Sequence, residues 1–255
     1  MSFRPRRHPE PKSVSYRLRR KLQEFGTPDK AAIDALELEK QPNGRNTVAT
    51  DKWANPQAMW DERYSETEPV YGTGPNVYLE KQSSRIMPGG KILVPADGYG
   101  RNGHWLAKQG FEVHTVDLSP VGVERSRKAA REAGLTLKIE QADLSTWNWP
   151  VGQFDAVAAI FLHLPPELRS KIHPAMLRAL KPGGILIIEA FTPENIQFHS
   201  GGPKDANLLY TAELLRKDFA SAEVLELEEV KVHMDEGTKH SGMSAVVHGV
   251  FRARE

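Results

Sequence analysis

Lys91-Ile-Leu-Val94, the turn Pro95-Ala96-Asp97-Gly98-Tyr99-Gly100-Arg101-Asn102-Gly103, and Glu112-Val-His-Thr-Val-Asp117 together decide how this chain folds. A short apolar run stops at a glycine-rich bend, a helical pattern follows over 102–109, and a second β-like run over 112–116 ends on a carboxylate at Asp117. Ser119-Pro120 then supplies an N-cap and a first helical residue, and the helix so opened should run through Ala133 and stop at Gly134. The alternation continues downstream, with strands expected over 135–140, 154–161 and 185–190 and a long helix over 165–180. Strands alternating with helices imply right-handed crossovers and a mainly parallel sheet covered on both faces, a doubly wound α/β fold. The end of the chain breaks the rule. Residues 222–234 and 244–254 are both extended and are joined by Asp235-Glu236-Gly237-Thr238 with no helix between them, which predicts an antiparallel hairpin.

Working outward, residues 1–13 read as irregular, 14–25 as a short basic helix, and Thr27-Pro28-Asp29 as the start of another helix reaching about Lys40. Residues 41–51 hold Pro42, Asn43, Gly44 and Asn46 and read as a linker, so the expected organisation is a basic extension and linker over 1–50 and one domain over 51–255. The chain has 255 residues, 39% hydrophobic and 26% charged, enough for a substantial core. Its longest apolar runs, such as 156–162 and 185–188, are far too short to cross a bilayer, and no apolar run near the start reads as a secretory signal. Cysteine is absent, which excludes disulfides, thiolate metal ligands and a cysteine nucleophile, and fits a reducing cytoplasm.

Net charge is +1, but eight Lys or Arg against Glu10 and Glu24 make residues 1–25 strongly basic. The remainder is therefore mildly acidic and has no reason to attract nucleic acid over long range. The basic head reads as a solvated arm, or as a segment for an anionic surface; Pro5, Pro9 and Pro11 break the amphipathic helix that an organelle transit signal needs.

In an open doubly wound sheet, ligands bind at the carboxyl ends of the strands. There the glycines of 98–103 let backbone approach a ligand closely, and Asp117, nineteen residues beyond Gly98, can accept hydrogen bonds from the two hydroxyls of a ribose. Taken literally, Gly98-x-Gly100-x-x-Gly103 is also the dinucleotide fingerprint, so an NAD-dependent oxidoreductase is a rival reading. Ala142-Asp143-Leu144 after the third strand puts a second acid where an adenine amine can donate to it, and Leu180-Lys-Pro-Gly-Gly184 introduces the fifth strand. Both features, with the terminal hairpin, favour an adenosine donor over a dinucleotide. A non-catalytic donor-binding regulatory protein, with the basic head touching RNA, is a further alternative.

Val94-Pro-Ala-Asp-Gly-Tyr-Gly-Arg-Asn102, Val116-Asp-Leu-Ser-Pro120, Gln141-Ala-Asp-Leu144 and Leu180-Lys-Pro-Gly-Gly184 resemble, in order, the motifs of class I S-adenosylmethionine-dependent methyltransferases. With Met59-Trp-Asp-Glu-Arg-Tyr64 and Tyr71-Gly-Thr-Gly-Pro-Asn76 upstream, the resemblance extends to the tellurite-resistance and thiopurine methyltransferase-like group and covers about residues 57–255. It implies a seven-stranded sheet ending in the antiparallel hairpin and S-adenosyl-L-methionine as cofactor. It further implies donor contacts from Trp60, Arg63, Tyr64, Ala96, Asp97, Gly98, Gly100, Asn102, Asp117, Leu118, Asp143, Leu144 and Ile160. Two departures stand out: many class I enzymes have an acid where this chain has Val94 and a glycine where it has Ala96, while Pro95 is similar to the thiopurine-type branch.

Trp60 and Tyr64, four residues apart on an expected helix, share a face and either cover a sulfonium or simply anchor the helix. Arg63 can pair with the donor carboxylate, or with Glu62. His163 follows the fourth strand and Glu189 lies near the end of the fifth, so these two are the candidate catalytic residues; the plainer reading has His163 packing against the adenosine or capping the following helix. Phe191 is a second candidate for the acceptor pocket, and the glycine-bearing segment 199–204 reads as a mobile lid or an ordinary surface loop. The remaining histidines, His240 and His248 among them, show no metal-ligand spacing, and no metal is expected. The expected partner is a small-molecule acceptor. The resemblance favours soft ones, thiols or selenium and tellurium species, which need little base catalysis compared with a hydroxyl or an amine.

Overall fold

A computed structural model describes residues 55–254. The expected helices over 14–25 and 27–40, the linker over 41–51 and the basic head lie outside the described residues. The chain enters through helix α1 (Pro56–Tyr64) and α2 (Val77–Gln82), then runs β1 (Lys91–Pro95), α3 (Arg101–Lys108), β2 (Glu112–Asp117), α4 (Pro120–Glu132), β3 (Lys138–Gln141), β4 (Phe154–Ile160), α5 (Pro166–Ala179) and β5 (Leu180–Phe191). Helix α6 (Ala212–Asp218) leads into the hairpin of β6 (Glu223–Asp235) and β7 (Ser241–Arg252). The seven strands form one sheet in the order β3-β2-β1-β4-β5-β7-β6. The first five are mutually parallel, and β7 enters antiparallel between β5 and β6.

Period-two alternation in β1, β4 and β5 feeds two cores. Leu93, Val157, Ala159, Leu186 and Ile188 face one side, where Ile172 and Met176 of α5 and Leu215 of α6 pack. Ile92, Val94, Ala156, Ala158, Ile185 and Ile187 face the other, against Leu79 of α2 and Leu106 of α3. Each fully buried Leu, Ile or Phe among these stabilises by about 1.5–3 kcal/mol over its exposed state. Both faces are apolar because both are covered, which is why the parallel strands read as continuous hydrophobic runs.

Local chemistry sets the boundaries. The Ser119 side chain accepts from the Gly122 N–H at 3.0 Å and Pro120 takes the first helical position, so α4 starts where its sequence signature puts it. β3 begins three residues later than the alternation suggests, because Gly134 adopts φ 63° and the Leu135 N–H closes back on the Ala130 carbonyl. Leu180-Lys-Pro-Gly-Gly184 lies within β5 rather than before it; the register against β4 slips between Phe154 and Ala156, a bulge at which Gly183 takes φ 77°. The hairpin turn is Glu236–His240, one residue later at its start than expected, and β7 begins three residues earlier. None of the described helices is long and apolar enough to cross a membrane.

Candidate functional site

β1 and β4 are each followed at once by a residue forced into the left-handed region without being glycine: Ala96 at φ 56° and Phe161 at φ 52°. Such strain persists only where surroundings hold it, here the bonds from Ala96 N–H to the Val116 carbonyl (2.6 Å) and from Phe161 N–H to the Glu189 carbonyl (2.8 Å). Ala96 therefore occupies a backbone position that suits glycine, which accounts for the departure noted in the sequence.

Beyond Ala96 the bend is built around two buried carboxylates. Asp117 accepts from the Gly98 N–H at 2.8 Å and, through its other oxygen, from the Ser119 N–H at 2.8 Å. It is 6% exposed, and burial pushes its pKa up to about 6. Asp97 accepts from the Gly103 N–H at 3.0 Å in the first turn of α3. Burial, and then the nearby Asp117 charge, raises its pKa to about 7 against the pull of those backbone bonds. Gly100 caps α3 at φ 92°, and Asn102 accepts from the Asn76 N–H at 2.9 Å.

Helix α1 roofs the bend. Trp60 and Tyr64 do share a face, stacked at 5.4 Å with 20° between the rings, and Tyr64 meets Tyr99 edge-on at 5.6 Å. A Cβ added at Gly98, whose φ is 58°, would lie 2.5 Å from the Tyr64 hydroxyl, and one at Gly122 would lie 2.8 Å from the same ring. Gly98→Ala is therefore expected to cost about 1–2 kcal/mol from the left-handed backbone alone, with further loss as Tyr64 is displaced. A thermal melt that matches wild type would mean that the aromatic roof does not rest on this glycine. Among the described residues Arg63 makes no ion pair with Glu62: its guanidinium donates to the Tyr71 hydroxyl at 2.8 Å and lies 4.9 Å over the Trp60 ring. Asp61 accepts from the Ser119 hydroxyl, which ties α1 to the start of α4.

On the neighbouring strand ends, Leu118 is half-buried and Ile160 is 7% exposed at the end of β4. Asp143 is exposed; one of its oxygens accepts from the Ser145 N–H at 2.8 Å and the other is unspent among the described contacts. Leu144 packs on the core. The expected donor residues thus line one continuous edge, the carboxyl ends of β1, β2, β3 and β4.

His163 and Glu189 come out differently from the expectation that they face an acceptor. The His163 ring is neutral and fully engaged: Nδ1 donates to the Leu208 carbonyl at 2.6 Å, and Nε2 accepts from the Phe191 N–H at 3.3 Å. Burial lowers its pKa to about 4. It does not cap α5, which begins at Pro165-Pro166 with no side-chain cap. Glu189 bonds His248 Nε2 at 2.8 Å and the Asn76 amide. His163 spends both ring nitrogens on backbone, whereas each Glu189 oxygen holds one side-chain partner and keeps further acceptor capacity.

Sequence reasoning missed the network that Glu189 belongs to. Asn76 also donates to Glu236 at 3.0 Å, the Val77 N–H donates to the same carboxylate at 3.0 Å, and Glu236 pairs with Arg101 at 2.6 Å. The Arg101 and Glu236 side chains are 7% and 6% exposed. This chain of contacts joins the hairpin tip, the start of α3, the segment before α2 and the end of β5. Beside it Tyr71, Phe161 and Phe191 surround His240, at ring separations of 4.6, 4.5 and 5.3 Å. The only advance signal was weak: a carboxylate and a histidine flanking the turn of a hairpin whose strands are otherwise amphipathic.

The residues present suit an adenosyl donor. Gly98 lets the Tyr64 ring lie directly on the bend, and carboxylates end adjacent parallel strands at Asp117 and just beyond β3 at Asp143. Each oxygen of Asp117 retains acceptor capacity beyond its one backbone bond.

Comparison with known proteins agrees. Residues 92–184 match the family described as Methyltransferase domain. An uncharacterized protein of Mycobacterium tuberculosis, Rv1405c, is 29% identical over 145 residues, covering 55% of this chain and 52% of the relative; the chain thus spans about half the length of the curated relatives of this kind that it matches. Thiopurine S-methyltransferase of Pseudomonas putida is 27% identical over 225 residues, covering 76% of this chain and 97% of that protein. The crystal structure of TehB from Haemophilus influenzae superposes with a TM-score of 0.59 at 18% identity, covering 78% of this chain and 67% of that one, a likeness of fold. These matches set aside the dinucleotide reading of Gly98-x-Gly100-x-x-Gly103. With the sheet order, the glycine bend and the strand-end carboxylates, they make the chain similar to S-adenosylmethionine-dependent methyltransferases, over residues 92–184 by the family match and over about three quarters of its length by the Pseudomonas relative.

Proposed function

We propose that residues 51–255 form a domain that transfers a methyl group from S-adenosylmethionine to a small-molecule acceptor, with thiols and heavier chalcogen species as the favoured class. The observation that carries this reading is adjacency. The carboxylate-lined strand ends that suit the adenosine adjoin a cluster of aromatic rings, Tyr71, Phe161 and Phe191, packed around His240. Phe161 itself follows Ile160, so the donor edge and the aromatic wall are consecutive along β4.

Bound at this edge, S-adenosylmethionine supplies a methyl group already activated by a sulfonium. The chain's own residues then have three tasks. Asp117 and Asp143 are proposed to hold the ribose and adenine, and Ala96, Asp97, Gly98 and Gly100 to meet the amino-acid end through backbone. Trp60 and Tyr64 are proposed to lie against the cationic sulfur, where a cation–π contact contributes roughly 0.5–2 kcal/mol, with Arg63 held beside them. The aromatic cluster excludes water and brings the nucleophile in line, the main source of rate when the electrophile is pre-activated. Apolar, polarizable walls suit a soft nucleophile. A relative named for the S-methylation of thiopurines supports a sulfur acceptor.

The test is a screen of thiols, selenite, tellurite, phenols and amines with S-adenosylmethionine, read as release of S-adenosylhomocysteine. Turnover is expected with sulfur or chalcogen acceptors ahead of phenols and amines. Tight NADH binding with no affinity for S-adenosylhomocysteine would end this reading.

A further inference from the structure

Helix α1 carries the Trp60–Tyr64 roof, yet little of it is held by burial. Of its nine residues only Tyr64 is buried, and a helix this short is marginal on its own. Its seat is one ridge of α4 and its cap, spaced three residues apart: Ser119, Gly122 and Arg125. The Ser119 hydroxyl donates to Asp61. Gly122, whose Cβ position lies 2.8 Å from the Tyr64 ring, leaves the slot that this ring fills. Arg125 takes the end of the helix. One terminal nitrogen of its guanidinium donates to the Tyr64 carbonyl at 2.6 Å and the Glu66 carbonyl at 2.5 Å, and the other to the Thr67 carbonyl at 3.4 Å.

These contacts answer a local need. The last carbonyls of a helix have no partner within it, and a cation there also suits the negative end of the helix dipole. Ser65, Glu66, Thr67 and Glu68, where the chain leaves α1, are all exposed, so no apolar side chain fixes the direction of departure. Arg125 fixes it instead, from the helix that follows Asp117. One helix thereby governs both the strand end proposed for the ribose and the tilt of the aromatic roof. The same guanidinium lies 5.5 Å over the Tyr99 ring, which meets Tyr64 edge-on. The Tyr99 hydroxyl in turn accepts from the Tyr71 N–H and donates to the Gly72 carbonyl, each at 2.9 Å. Arg125 thus backs both ends of the connection that leads from α1 to the segment before α2.

We propose, resting on the methyltransferase reading above, that Arg125 is a positioning residue for donor recognition: by gathering the carbonyls of Tyr64, Glu66 and Thr67 it sets the tilt of α1 and so holds the Trp60–Tyr64 pair against the donor's sulfonium. The donor and its spent form, S-adenosylhomocysteine, differ at that sulfur by one methyl group and one positive charge. Ring faces attract the cation and have no such hold on the neutral thioether. The seat of α1 therefore decides how strongly the protein prefers the charged donor to the product it must release. The sign of the effect separates this role from plain electrostatics. Arg125 is itself a cation beside the bend, and its charge repels a sulfonium, so removing the charge alone raises the preference for the donor. Losing the seat lowers it. Arg125→Lys keeps the charge but offers a compact ammonium in place of a planar fork, and cannot span the three carbonyls in the same geometry.

The test is calorimetry on the full chain, without acceptor, for S-adenosylmethionine and S-adenosylhomocysteine. It compares wild type, Arg125→Ala, Arg125→Lys, Trp60→Leu and the double variant Trp60→Leu/Arg125→Ala, and the quantity read is the ratio of the two affinities. Wild type is expected to favour the charged donor. Arg125→Ala is expected to lower that ratio about threefold or more, with affinity for S-adenosylhomocysteine within about twofold of wild type, and Arg125→Lys to fall between. Because Arg125 acts through the rings, its removal is expected to lower the ratio less in the Trp60→Leu background than in wild type. An unchanged or raised ratio in Arg125→Ala, an equal loss for both ligands, or an effect of full size in the Trp60→Leu background overturns the proposal. Should Arg125→Ala fail to fold, Arg125→Lys carries the same test, and a wild-type ratio there overturns it. A wild type that binds both ligands equally also overturns it, while a wild type that binds neither sinks the donor reading instead.

Discussion

Replacing Glu236 with alanine is expected to remove about 3–5 kcal/mol of folding stability, the largest single loss foreseen for this chain. The magnitude follows from what is left behind. Glu236 is the counter-charge to Arg101, whose guanidinium lies 2.6 Å away at 8% residue exposure, and it also accepts from the Asn76 amide and the Val77 N–H. Truncation strands a buried cation and two donors together. Breaking such a pair costs far more than the pair itself contributes, because its attraction mostly offsets the desolvation of two charges. Glu236→Gln keeps the shape and an acceptor oxygen while removing the charge, so it should fall between alanine and wild type. The neighbouring Asp235, exposed at the end of β6, is the control and should change stability by no more than about 0.5 kcal/mol when cut to alanine. Urea denaturation of the three variants decides it. A loss below about 1 kcal/mol for Glu236→Ala would mean that water reaches Arg101 and the network is not the clamp described.

Asp117→Ala is expected to weaken S-adenosylhomocysteine binding at least tenfold, about 1.4 kcal/mol or more in binding free energy. Two effects add. The carboxylate proposed to take the ribose is gone, and so are the acceptors that hold the Gly98 and Ser119 N–H groups at 2.8 Å each. The second effect reaches the bend itself, since Gly98 supports the Tyr64 ring and Ser119 caps α4. Calorimetry at neutral pH should therefore show a weaker affinity together with a lower melting temperature. Wild-type affinity in this variant would remove Asp117 from the site, whatever happens to stability.

The parallel half of the sheet was legible in the sequence because each of its signals is local. An apolar run, a glycine bend, and a Ser-Pro cap are each written within about a dozen residues, and the structure differs only in boundaries such as the later start of β3. The strand-end carboxylate and the glycine bend were legible for the same reason, since Asp117 and Gly98 lie at fixed offsets along one βαβ unit. The acceptor side was not. Asn76 meets Glu236 across 160 positions of sequence, and nothing near either residue announces the other. His163 illustrates the limit from the opposite direction. Its place after β4 was readable, but its availability depended on Leu208 and Phe191, which arrive from separate segments and use both nitrogens. His240 carries no motif at all. Only the antiparallel register of β6 and β7 swings the hairpin tip back over the strand ends and makes that histidine neighbour to Phe161.

The insertion of β7 between β5 and β6 has a consequence for how the molecule comes into being. β5 is paired on one side by β4 and on the other by the strand that follows all others in the chain. During synthesis its free side must wait as an unpaired ribbon from Ile185 to Phe191, apolar except for Glu189, until residues 241–252 have left the ribosome. Such a ribbon is the kind of edge on which nascent chains stick to one another. Chaperone demand should concentrate in that interval, and the network that joins Glu236 of the hairpin to Arg101, Asn76 and Glu189 is the last to be assembled.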